Sequence, residues 1–104
     1  MTAPEQPFRV TLVLRAPRPA GAGDGAAVER LLEADSPPWR SVAATAQAGR
    51  DLALVLAVVE RDAPSAAGLA VDGVRARLGL DATFARWVVD ARRVHVRSAD
   101  RPPA

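Results

Sequence analysis

The chain has 104 residues, of which 49% are hydrophobic and 25% charged, a balance that suits one globular domain and excludes both a disordered segment and an architecture with separate cofactor and substrate domains. It has no cysteine and one histidine, so disulfides, thiolate metal sites and a cysteine nucleophile are excluded, and neither a metal nor a cofactor is expected. All 14 basic residues are arginine and the formal net charge is +2. That charge is uneven: residues 1–85 hold 9 Arg against 10 Asp or Glu, and residues 86–104 hold 5 Arg against 2 Asp.

Met1-Thr2-Ala3-Pro4-Glu5-Gln6-Pro7 carries no basic stretch, and no apolar run approaches the ~20 residues of a spanning helix, so a cytoplasmic protein is expected. Residues 8–15 then place Phe8, Val10, Leu12 and Leu14 on one parity and Arg9, Thr11, Val13 and Arg15 on the other, which predicts a strand with one apolar face. Two prolines and two glycines in residues 16–23 end it. Asp24 is positioned to cap a helix carrying Ala27, Val28, Leu31, Leu32 and Ala34 at three-and-four spacing, stopped by Ser36-Pro37-Pro38.

Residues 39–48 alternate weakly among small side chains and read as an edge strand, and Ala48-Gly49-Arg50-Asp51 reads as a turn. Residues 52–60 are the most apolar run, with Leu52, Leu54, Leu56 and Val58 on one face and Ala53, Val55, Ala57 and Val59 on the other, as in a central strand. Asp62 or Ser65 is expected to cap a second helix over 65–78, where Ala67, Val71, Val74 and Leu78 make a stripe and Gly79 takes the C′ position. Gly68 and Gly73 inside it suggest close approach to a sheet. The last strand is expected from Thr83 through Phe84, Trp87 and Val89. Its parity changes between Ala91 and Val94, which predicts a bulge or break within Asp90-Ala91-Arg92-Arg93.

The order strand, helix, strand, strand, helix, strand, with two similar halves, predicts an α+β fold. The expected form is a βαββαβ sandwich whose four-stranded antiparallel sheet carries both helices on one face, with the first and third strands in the middle. In that element order, over residues 8–97 with 1–7 and 98–104 as flexible tails, the chain resembles the ferredoxin-like superfold. Within it, small dimeric α/β-barrel proteins pair such sheets face to face around a pocket, and amino-acid-sensing ACT domains begin much as residues 9–32 do. No binding residue is carried over from either group.

The sheet face away from the helices is then expected to hold Thr11, Val13, Ala53, Val55, Ala57, Val59 and Val88, with Ala43 and Thr45 beside them. Soluble monomers rarely leave such a surface open, so a cover is expected, a second copy of the chain being the simplest and a partner protein the alternative. The expected function is a non-enzymatic interaction or assembly module. Its rival is a dimeric enzyme or ligand-binding protein with an apolar cavity, using His95, Asp90, Arg92 or Thr11.

Other patterns are weaker. Gly21-Ala22-Gly23-Asp24-Gly25-Ala26 matches G-x-G-x-x-A between a strand and a helix, but no acidic ribose-binding residue follows the next strand. His95 near Asp90 and Asp100 suggests acid–base chemistry, yet a lone histidine between valines on a strand reads more simply as a solvated edge residue. No serine lies in a nucleophile-elbow context. Arg86, Arg92, Arg93 and Arg97, continued by Arg101, form a candidate basic patch. Valine and alanine stand where an RNA-binding sheet presents stacking aromatics, so nucleic acid is not the expected partner.

Overall fold

Strict alternation over residues 6–15 gives a strand, β1 (Gln6–Arg15), in which Phe8, Val10, Leu12 and Leu14 are buried and their neighbours are not. The computed structural model describes residues 4–99. The chain continues through α1 (Asp24–Glu33), β2 (Ser41–Ala48), β3 (Asp51–Glu60), α2 (Ala63–Gly79), β4 (Val88–Val89) and β5 (His95–Ser98). The fold is α+β, with one antiparallel sheet and two helices. Among the described residues no helix is long and apolar enough to cross a membrane.

The sheet order is β2-β3-β1-β4, with β5 also paired to β1. Because β3 lies along all of β1, from Gln6↔Glu60 to Arg15↔Asp51, both β4 and β5 flank its other edge. The two most apolar strands are therefore interior, as their sequences predict. The sheet has five strands where four are expected, because the last one is divided. Val89 pairs with Leu14 and Val96 with Val10, so seven steps on one side match four on the other and three residues are extruded. An odd insertion restores Val96 to the core parity, and the break falls at the expected parity change.

The core joins the even residues of β1 and β3 to Val28 and Leu32 of α1 and to Ala66, Ala70, Val74 and Leu78 of α2, so both helices cover one face. Leu12, Leu14, Leu32, Leu52, Leu54 and Leu56 are essentially inaccessible to solvent, each stabilising the fold by about 1.5–3 kcal/mol.

Several local expectations need correction. Residues 82–86 are turns and no strand precedes Val88: Asp81 accepts from the backbone N–H of Thr83 (2.8 Å) and Phe84 (3.2 Å), and this side-chain-closed turn competes with extension. Phe84 and Trp87 still reach the core, as an edge-to-face pair 5.1 Å apart. Gly23, at φ 90°, is the N-cap of α1; Asp24 starts the helix and turns its carboxylate back to the Gly21 amide at 2.6 Å. The second cap is Asp62, which accepts from Ser65 N at 2.7 Å, and α2 begins at Ala63, before the expected start. Gly79 lies inside the helix and Leu80 caps it. The sheet also takes in Gln6, Pro7 and Ser98, beyond the expected 8–97 boundary, with Ala99 N donating to Pro7 O. The remaining ends of the expected tails, residues 1–3 and 100–104, lie outside the described residues.

The glycines of α2 do not approach the sheet. Gly68 faces open space, whereas a Cβ at Gly73 would stand 2.7 Å from Cζ3 of Trp39. Gly68→Ala is therefore expected to stabilise the protein by about 0.5–1 kcal/mol. Gly73→Ala is expected to destabilise it by about 1–3 kcal/mol, since the gain in helix propensity is smaller than the overpacking. Urea denaturation of both variants checks this; effects of the same sign would contradict it.

Candidate functional site

The odd residues of β1 and β3 face away from the helices, and the register sets them in rows across the sheet. Ala43, Val55, Thr11 and His95 form one row; Ser41, Ala57, Arg9 and Arg97 form the next. On the other side of the middle, Ala46, Ala53 and Val13 align, and beyond them Ala48, Asp51, Arg15 and Val88. Val59, opposite Pro7, closes the far end. Thr11, Val13, Ala53, Val55, Ala57 and Val59 are half-buried by their neighbours, and Val88 is 56% exposed. Thr45 is extruded from β2 at a bulge between Ala44 and Ala46, which keeps Ala46 on the open parity. Among the described residues no element lies over this face.

The ends of the face are charged. At one end Arg15 stands opposite Asp51, while Arg93 donates from Nη1 to Asp51 (2.9 Å) and from Nε to Asp90 (2.8 Å). These bonds to Arg93 hold both carboxyls below the usual carboxylate range and raise the Arg93 pKa further. The cluster ties the extruded turn to the start of β3. Its pH dependence has a definite sign. A carboxyl depressed in the folded state contributes stability above its unfolded value, near pH 4, and loses it as pH falls through the folded one. Thermal melts are expected to be level through neutral pH and to fall below about pH 4. That acid fall should be shallower in Arg93→Gln, and parallel profiles for the two proteins would contradict the assignment.

The four basic residues singled out in the sequence do not gather at one point. Arg86 is exposed in the turn before β4, and Arg92, its side chain 91% exposed, lies 3.8 Å from Asp90. Arg93 is held between two carboxylates and Arg97 faces outward on β5. They are strung along the edge of the sheet, and Arg101 lies outside the described residues.

His95 and Asp90 are not brought together. The Asp90 carboxylate accepts from Arg92 N and Arg93 Nε, and His95 stands opposite Thr11. What the sequence does not reveal is that Arg97 faces Arg9 directly across β1 and β5. Only the length of the extruded turn sets that register.

The glycine-rich turn before α1 borders a hollow of about 360 Å³ that Glu29, Gln47 and Leu52 also line. Asp24 already occupies the Gly21 amide that a phosphate would use, and Glu29 accepts from Ala44 N at 2.6 Å. A carboxylate at the helix start and a second one lining the hollow disfavour an anion. Among the described residues, no group of three or more His, Cys, Asp or Glu could hold a metal.

No protein-family model, curated protein or solved structure matches the chain.

Proposed function

We propose that the chain is a small non-enzymatic assembly module that buries the open face of its sheet against a second copy of itself, in the ferredoxin-like βαββαβ arrangement with a divided last strand. The sheet order β2-β3-β1-β4 and the placing of both helices on one face support that arrangement. One observation carries the function. The interior strand β3 presents Ala53, Val55, Ala57 and Val59 outward, with no charged side chain among them and no covering element among the described residues.

Geometry supports a second copy as the cover. Strands about 4.8 Å apart that together hold 34 residues, at about 3.3 Å per residue, offer roughly 540 Å² per copy. Two copies bury about 1,100 Å², just above the roughly 1,000 Å² that a biological interface should clear. The face is small-sided and apolar at its centre, with charges towards both ends, as interface cores and rims are arranged. A two-fold pairing needs no second gene product.

Light scattering tests this. The expected mass is near twice the 10.9 kDa of one chain, and a single-chain mass at micromolar concentration would overturn it. The rival reading, a dimer enclosing a ligand cavity, is favoured by the hollow of about 540 Å³ between Val55 and His95 on this face. It requires a bound small molecule in native mass spectrometry.

A further inference from the structure

Arg9 and Arg97 are direct cross-strand partners on the outward side of β1 and β5. Facing positions hold Cβ atoms about 4.5–5.5 Å apart, where two like charges destabilise a sheet. The other arginines of this face are balanced: Arg15 opposes Asp51, and Arg93 is shared by Asp51 and Asp90. Among the described residues, no carboxylate lies within ion-pair distance of Arg9 or Arg97. Thr11 and His95, one row along, add a hydroxyl and an imidazole to the same spot.

These four side chains, with Val55 and Val96, line a hollow of about 540 Å³, a volume in the range of small-molecule sites. From this we infer that Arg9, Thr11, His95 and Arg97 form a binding site for the phosphate monoester group of a small organic molecule, whose apolar body lies over Val55. Two guanidinium forks, a hydroxyl and an imidazole N–H supply more donors than a carboxylate can accept. A monoester near neutral pH carries close to two negative charges, which matches the two arginines. The site is complete within one chain and does not rest on the dimer; a second copy would roof it.

Titration with phenyl phosphate, followed by amide chemical shifts at constant ionic strength, tests the assignment. Saturable shifts are expected at Arg9, Thr11, His95 and Arg97. Affinity should fall by at least roughly tenfold in Arg9→Gln and in Arg97→Gln. Arg86→Gln removes the same charge from an exposed turn and should leave affinity unchanged. Inorganic phosphate, lacking the apolar body, and benzoate, lacking the second charge, are both expected to bind more weakly.

An equal loss in all three variants would overturn the site, because it would report bulk charge alone. So would benzoate binding as tightly as phenyl phosphate, or binding of single-stranded RNA without any of phenyl phosphate. The mass of each sample is measured in parallel. Shifts on a single-chain particle would remove the dimer and keep the site, and a two-chain particle without shifts would do the reverse.

Discussion

Ala53→Arg is expected to split a two-chain particle into single chains while leaving secondary structure and cooperative unfolding intact. Ala53 lies on the interior strand β3, between Ala46 and Val13, on the face away from the core, so a long side chain there meets solvent in the isolated chain. In a face-to-face pair the same guanidinium is taken out of water at the centre of the apolar face. Such a charge costs several kcal/mol unless it escapes. A two-fold interface carries every substitution twice. Two losses of about 2 kcal/mol each weaken association by roughly a thousandfold. Sedimentation equilibrium reads this directly. A variant that stays paired would show that the face is not the interface, and one that unfolds would show that residue 53 is not outward-facing.

The second large effect concerns the other side of the molecule. Trp39 is 4% exposed, and its indole Nε1 donates to Leu32 O at 2.9 Å, satisfying a carbonyl at the end of α1. Its ring lies under the Arg77 guanidinium at 5.4 Å and against Gly73, so one side chain joins α1, the Pro37-Pro38 segment and α2. Arg77 completes the joint by donating to Ala34 O and Asp35 O, where the chain leaves α1 through two residues of positive φ. Trp39→Ala is expected to cost about 3–5 kcal/mol through the cavity and the unpaired Leu32 carbonyl. That is a large share of the 5–15 kcal/mol typical of a domain. Trp39→Phe keeps most of the ring and should lose less. Chemical denaturation at fixed chain concentration, which holds any association constant, measures both. Equal losses for the two variants would contradict the packing account.

How much of this was legible depended on the range of the interaction. The two interior strands were readable because their parity is decided residue by residue: Leu12 and Leu54 go in, Val13 and Val55 go out, and one face must be buried. The interruption after Val89 was readable for the same reason, since Val94 and Val96 cannot share a face with it unless an odd number of residues is extruded.

What stayed hidden depends on contacts distant in sequence or on competition between local structures. Residues 83–87 carry strand-forming side chains, but Asp81 closes a turn over them at lower cost than extension. Gly68 and Gly73 look alike in the sequence; only the fold places Trp39 beside the second. The facing of Arg9 and Arg97 depends on how many residues the turn extrudes, and no local pattern specifies that number. The seven open-face residues followed from parity alone. The cationic pair at their margin did not.

The most direct measurement is an isotope-filtered NOE experiment on a mixture of labelled and unlabelled chains. Contacts between copies are expected from the methyl groups of Val13, Ala53 and Val59, which lie on the face outside the hollow. A spectrum in which no such contacts arise, or in which they come only from the helix faces, would contradict the central claim that this sheet face is where the chain meets its second copy.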